Sequence, residues 1–328
     1  MKILIRLPNW LGDVVMSTAF INAVKQVYPD AVIDIIIKKE LSGIASLIPG
    51  LHVIHPFAKQ EYKNLTGVFR FGKKLRSEKY DLFFNLPSSL SSMVMAWATN
   101  AKKRIGFSKE GGYFLLTNSY KKAKNIHRVD EYISLLHQFT DKNISSGPVA
   151  LNIAQPVQRN NKVIINFNSE AESRRMPVDK AKAIINLLTN TFPVTTFTFI
   201  GSQKEAAFIE QIIEGAENKS RIENTAGKTD LIGLCSIMAA SKAVLTTDSG
   251  PAHLANSVGT PTIVLFGAGN EYNTAPFNKQ DLSVIRYGKL SCEPCAKNTC
   301  ELYGIPKCMQ MINELTIIEA LNVYLLHA

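Results

Sequence analysis

TTDSGPAHLANSVGTPTIVLFG, running from Thr246 to Gly267, reads as the end of a strand, a tight turn, a short helix, a second turn and a buried strand. Ala243 and Val244 feed an apolar strand into Thr246 and Thr247. Asp248-Ser249-Gly250 supplies turn chemistry, and Pro251 suits a first helical position. A helix N-terminus carries roughly half a positive charge and unpaired N–H donors, so an anion such as a diphosphate is the natural ligand above this strand. Ser249 and the N–H groups near Gly250 to Ala252 would hold phosphate oxygens, and His253, inside the helix, could donate a further hydrogen bond. Asp, Ser and Gly are also ordinary capping residues, so a merely capped helix is the competing reading. A serine hydrolase is a poor fit, because Asp248, Ser249 and His253 crowd one helix start and no G-x-S-x-G elbow exists.

A second element of the same logic opens the chain. Met1 to Leu7, MKILIRL, is a strand that leaves no room for a preceding signal peptide. Pro8-Asn9-Trp10-Leu11-Gly12-Asp13 then leads into a helix from about Val14 to Val27. Gly12 permits close backbone approach, and Asp13 falls beyond the carboxyl end of a strand, where an open α/β sheet presents its ligands. Asp13 is either an N-cap or a catalytic base.

Working outward, the first half alternates strand 2–7, helix 13–28, strand 32–37, helix near 41–48, strand 52–55, helix near 61–77 and strand 81–86. The second half restarts with strand 163–167, helix 178–191, strand 195–200, helix 204–217, strand 221–225 and helix 230–241. Such alternation predicts α/β architecture with parallel sheets. The polar stretch Asp141 to Asn161 holds the linker, giving domains 1–155 and 156–312. Thr316 to Leu326 is an amphipathic helix by its Ile317, Ala320, Leu321 and Tyr324 spacing. It belongs to a terminal segment, 313–328, expected to pack back on the first domain.

A chain of 328 residues, 46% hydrophobic, is long enough for about two cored domains, and no apolar run approaches the roughly 18 residues of a membrane span. The formal charge is +10, with Lys and Arg gathered at 38–39, 73–76, 102–104, 121–128 and 174–175. Phosphorylated or acidic substrates and anionic membrane surfaces suit that field, and a solvated basic face is the plain alternative. No zinc finger, RNP-type aromatic pattern or long basic helix supports nucleic acid as a partner. Four of the five cysteines, Cys292, Cys295, Cys300 and Cys308, share one segment, 292–308. They read first as a structural zinc site, with iron–sulfur ligation or regulatory disulfides as alternatives. Cys235 sits in an apolar helix and reads as core.

RLPNWLGDVVMSTAFINAVKQVYPDAVID and TTDSGPAHLANSVGTPTIVLFG together resemble the two signature blocks of glycosyltransferase family 9. That family holds the ADP-heptose:lipopolysaccharide heptosyltransferases, and the likeness is to the heptosyltransferase II type. Weaker matches lie at SEAESRRMP, 169–177, and FIGSQKE, 199–205. Met176 stands where the family usually has Trp, and Asn166 to Ser169 replaces a small-residue loop. The resemblance implies a GT-B fold, two Rossmann-like domains facing across a cleft. It further implies inverting, metal-independent transfer of heptose from ADP-heptose to a Kdo-lipid A or heptosylated inner-core acceptor at the cytoplasmic face of the inner membrane.

In that resemblance Asp13 is the base for the acceptor hydroxyl. Arg174, with Arg175 as its neighbouring alternative, meets the diphosphate, and the polar loop that departs from the family pattern could still bind phosphate through its backbone and Ser169. Asp248 lies close to the donor sugar. Glu205, beyond strand 195–200, would accept hydrogen bonds from ribose hydroxyls, and Thr225 to Thr229 would border the base. The cysteine run resembles an insertion found in many members and has no implied catalytic part. The alternatives are transfer of another nucleotide-activated sugar to a lipid-linked acceptor, or a non-catalytic nucleotide- or anion-binding protein.

Overall fold

Ile3, Leu4 and Ile5 are fully buried in β1 (Lys2–Arg6), the strand from which a first sheet grows in both directions. β2 (Val32–Lys38) and β3 (Ile54–Phe57) extend it on one side. β4 (Leu82–Asn85), β5 (Lys103–Phe107) and β6 (Asn118–Tyr120) extend it on the other, in the order β3-β2-β1-β4-β5-β6. Every pair is parallel, with Ile3 opposite Ile33 on one flank and Leu82 on the other. Parallel neighbours cannot be joined by hairpins, so crossovers are required. α1 (Leu11–Val27), α2 (Asn64–Lys74) and α3 (Leu90–Thr99) provide three of them, and α4 (Arg128–Thr140) follows the last strand. The helix predicted near 41–48 is a 3-10 stretch, Lys39–Leu47.

The same plan recurs in β7 (Asn160–Asn166), β8 (Thr196–Phe199), β9 (Ile222–Asn224), β10 (Ser241–Thr247), β11 (Thr262–Phe266) and β12 (Leu282–Arg286). These form a second all-parallel sheet in the order β12-β11-β10-β7-β8-β9. Its helices are α5 (Val178–Thr191), α6 (Ala206–Glu214), α7 (Leu231–Ala239), α8 (Gly250–Ser257), the short α9 (Glu271–Thr274) and α10 (Lys307–Gln310), and α11 (Glu314–Leu325). The central strands are covered on both faces, which explains why the AVLTT and TIVLF runs read as continuous rather than alternating buried stretches.

The computed structural model describes residues 1–107, 112–153 and 159–325, and the chain divides into two units, Met1–Asn152 and Ile153–Ala328. Residues 154–158, which include the boundary expected at 155/156, lie outside the described residues. The terminal helix corrects an expectation. α11 was to return to the first domain, but Ile317 and Leu321 are buried in the core of the second unit, and Lys180 pairs with Glu314 at 2.5 Å. The periodicity identified the buried face; its partner is the apolar surface that β10, β11 and α5 leave open. Met176 is 1% exposed within the same core, so the departure from Trp is a packing change that an adaptable thioether fills. No helix among the described residues is long and apolar enough to cross a membrane.

Candidate active site

In each sheet the chain builds outward from one strand, returns, and builds the other way. The reversals lie between β1 and β4 and between β7 and β10. Connections leave the two sides of such a point in opposite directions and open a crevice at the carboxyl ends of the strands, where ligands bind. The residues singled out from the sequence lie at these carboxyl edges.

In the first unit, the buried Arg6 at the end of β1 holds the following turn. Its Nη1 donates to the Leu7 carbonyl at 2.5 Å and its Nη2 to Asn9 Oδ1 at 2.6 Å. Burial lowers its pKa to about 10. The turn delivers Asp13 to the first turn of α1, where the helix N-terminus favours a carboxylate. No side chain caps this helix, so Asp13 is left for other work than the N-cap. Asp13 Oδ1 lies 3.5 Å from Arg128 Nε at the start of α4. Arg128 Nη1 also pairs with Glu131 at 2.8 Å, and Lys122 reaches Glu131 at 2.9 Å. Burial raises the Asp13 carboxyl above its usual range, Arg128 and Lys122 pull it down, and Glu131 pushes it up. A half-buried carboxylate of raised proton affinity beside a fixed cation is equipped to accept a proton.

In the second unit, Asp248 follows β10 and Arg174 follows β7, and Arg174 Nη1 stands 3.2 Å from Asp248 Oδ2. The contact lacks hydrogen-bond geometry: among the described residues, Asp248 Oδ2 and Arg174 Nε are buried without a hydrogen-bond partner. Burial lifts the Asp248 carboxyl from 3.8 to about 6, against the pull of Arg174 and Arg286 and with a push from Glu271. Asn166 knits the β7 and β10 ends together, its Nδ2 donating to Thr246 Oγ1 at 3.0 Å and Ser249 Oγ at 2.9 Å. Ser249 Oγ in turn donates to the Thr247 carbonyl at 3.1 Å. The Ser249 hydroxyl is thereby committed to the loop, and it does not cap α8. Gly250 and Pro251 open that helix, with Pro251 second, and His253 is buried in it.

Arg174 and Asp248 are thus brought together, and Arg175 is turned elsewhere. Its Nη2 donates to the Ser169 carbonyl at 3.0 Å, and its guanidinium lies 5.6 Å from the Phe208 ring centroid. Arg175 therefore braces the Ser169 loop. Glu205 follows β8 and closes a capping box, accepting from Ser202 N at 2.7 Å and Ser202 Oγ at 2.8 Å through Oε2. Both the first-turn role and an acid at a strand end are therefore present, with Oε1 the oxygen that the box does not use. Thr229 is exposed in the turn after β9, whose Gly227 N donates to the Gly201 carbonyl at 2.9 Å.

The four clustered cysteines are free thiols. Among the described residues no three His, Cys, Asp or Glu side chains gather as a metal would require. As arranged, the zinc expectation finds no ligand set here. Cys308 is buried, its thiol pushed up to about 11, and a Cβ on Gly267 would fall 2.8 Å from its sulfur. It packs as a small apolar group under the loop after β11.

Sequence reasoning missed Arg286, at the end of β12. It pairs with Glu271 through Nε at 3.0 Å, donates to the Gly267 carbonyl at 2.7 Å through Nη1, and reaches the Gly269 carbonyl through Nη2. The loop it clamps lies against Asp248 so closely that a Cβ on Gly269 would sit 1.9 Å from Oδ2. The usable signals were the strand-end position of Arg286 and the Gly-Ala-Gly after β11. Of the basic clusters in the first unit, 121–128 supplies Arg128 and Lys122 to the Asp13 network. The 102–104 cluster begins β5 at the opposite edge, where Lys102 pairs with Asp81 at 2.7 Å.

A family profile described as glycosyltransferase family 9 (heptosyltransferase) matches residues 68–305. The lipooligosaccharide heptosyltransferase 2 of Campylobacter jejuni subsp. jejuni serotype O:2 is 28% identical, covering 97% of both chains. The lipopolysaccharide heptosyltransferase 2 of Salmonella typhimurium is 27% identical over 85% of this chain and 86% of its own. The solved structure of the E. coli ADP-heptose lps heptosyltransferase II superposes with a TM-score of 0.83 at 23% identity, covering 99% of each chain. Each sheet and its helices thus follow the GT-B plan.

Proposed function

The chain belongs to glycosyltransferase family 9, and on that footing we propose that it transfers heptose from ADP-heptose to the inner core of lipopolysaccharide, inverting the anomeric carbon. The observation that carries the assignment is the pairing of Arg174 with a buried, otherwise unsatisfied Asp248 oxygen at the mouth of α8. Asp248 holds the guanidinium in place before the anion arrives. The guanidinium and the N–H groups of the helix then neutralise charge on the departing diphosphate without reorganising. That neutralisation comes from the chain's own groups, so the reaction needs no metal cofactor.

Asp13 takes the proton of the acceptor hydroxyl as its oxygen bonds to the anomeric carbon. The bond from that carbon to the diphosphate breaks, and ADP leaves with the electron pair. Arg128 stands against the Asp13 carboxylate and opposes the rise in its pKa that burial causes. Glu205 receives the ribose hydroxyls through the oxygen that its capping box leaves open, and Thr229 borders the base. The acceptor is lipid-linked and anionic, which a chain of charge +10 suits, and the protein works peripherally at the cytoplasmic face of the inner membrane.

Calorimetric titration with ADP, UDP, GDP and NAD tests the donor site, repeated on Arg174→Ala and on Glu205→Gln, which can keep the capping box. Selective ADP binding, weakened about tenfold or more by Arg174→Ala, is expected. Preference for another nucleotide would remove the heptose assignment, and no nucleotide binding would remove the donor site.

A further inference from the structure

Large apolar side chains stand in solvent along one face of the first unit. Leu65 on α2, Leu90 and Trp97 on α3, and Tyr113 and Phe114 just beyond are all exposed, Trp97 by 47% and Phe114 by 68%. They join into one strip. Phe69, one turn after Leu65, lies 5.4 Å from Trp97 between ring centroids, and Leu90 and Trp97 are two turns apart on the same side of α3. The Leu90 side chain reaches to 4.0 Å from where a Cβ on Gly112 would be, and Gly112 adjoins the Tyr113–Phe114 pair.

The charge carried by α2 and α3 themselves has one sign. Neither α2 nor α3 contains an acidic residue. Lys63, Arg70 and Lys73 are exposed beside it, and among the described residues none of the three has a carboxylate partner. The strip also has a fixed relation to Asp13. Leu65 and Leu90 lie in the first turns of α2 and α3, and Tyr113 follows β5, so the strip starts at the carboxyl edge of the sheet that carries Asp13.

From this we infer that the outer face of α2 and α3 with the Tyr113–Phe114 turn is the surface on which the protein lies against an anionic lipid membrane. Its aromatic and aliphatic side chains enter the headgroup boundary, and Lys63, Arg70 and Lys73 meet lipid phosphates. The assignment rests on the lipid-linked acceptor proposed above, and it adds where the lipid sits. A membrane on this face would border the carboxyl edge of the sheet, the edge at which Asp13 lies.

Flotation of the full-length protein with vesicles of phosphatidylethanolamine and phosphatidylglycerol, against vesicles of phosphatidylcholine alone, tests it. Two variants are compared: Trp97→Ser with Phe114→Ser, and Lys63→Glu with Arg70→Glu and Lys73→Glu. The wild type should float with the anionic vesicles only. Both variants should partition at least about tenfold less, with ADP binding by calorimetry unchanged. Wild-type protein that stays unbound, or variants that float as well as wild type, would overturn the inference. If ADP binding persisted, the donor assignment would stand. A wild-type dimer that the aromatic variant converts to a monomer would make this face a protein interface and overturn it equally. Wild-type protein that floats with the anionic vesicles but binds no ADP would count against the donor site alone.

Discussion

Replacing Asp248 with Asn should stabilise the second unit at neutral pH while harming its function. The folded carboxyl titrates at about 6 and the unfolded one at 3.8, with burial as the main cause. Each unit of difference corresponds to about 1.4 kcal/mol, so the full difference is about 3 kcal/mol. The sign follows from proton binding. Below 3.8 the carboxyl is protonated in both states and wild type and variant differ little. Between the two values the unfolded chain ionises first, so stability falls as pH rises. Above about 6 the whole contribution is lost from the wild type, and the amide, which cannot ionise, keeps it. Urea denaturation from about pH 4 to about pH 8 should show a gap that opens through that window to about 3 kcal/mol, or roughly 6–12 °C in Tm for a unit of this size. A gap independent of pH, or a variant less stable at about pH 8, would mean that Arg174 outweighs burial and that Asp248 is held ionised.

Arg128→Gln removes a cation 3.5 Å from Asp13, so the acid limb of the pH–rate profile should move to higher pH; an unmoved limb would separate Arg128 from the base. Gly269→Ala places a methyl group where Asp248 Oδ2 now lies, 1.9 Å from the new carbon, and should cost about 1–3 kcal/mol in denaturation and weaken ADP binding. Unchanged values for both would refute that packing. Prolonged treatment with a chelator should leave turnover intact, because Arg174 and the α8 N-terminus neutralise the diphosphate; a loss restored by zinc or iron would assign the cysteine segment a metal.

Much of the fold was legible because each signal was local. The run from Ala243 through Gly267 carries its own strand, turn and helix chemistry, and β10, α8 and β11 follow it closely. Alternation of apolar strands with amphipathic helices was enough for two parallel sheets, though the strand expected at 52–55 lies at Ile54–Phe57, since His52 and Val53 are equally compatible with a strand start. What escaped depends on distant partners. Arg286 matters through Glu271 and the carbonyls of Gly267 and Gly269, Arg128 through Asp13, and α11 through a core built from strands far earlier in the chain. Arg175 looked equivalent to Arg174 in sequence, and tertiary contacts set them apart: Arg175 meets the Ser169 carbonyl and Phe208, Arg174 meets Asp248. Glu205 had two local readings, and the capping box satisfies one while leaving an oxygen for the other.

The central claim is a reaction, and it is tested most directly by product. Purified protein incubated with ADP-heptose and a heptose-deficient inner-core acceptor should release ADP in step with an acceptor mass increase of one heptose. Asp13→Asn should lower that turnover by at least about a hundredfold while ADP affinity is kept. No mass increase with the wild type, or full turnover by Asp13→Asn, would contradict the account.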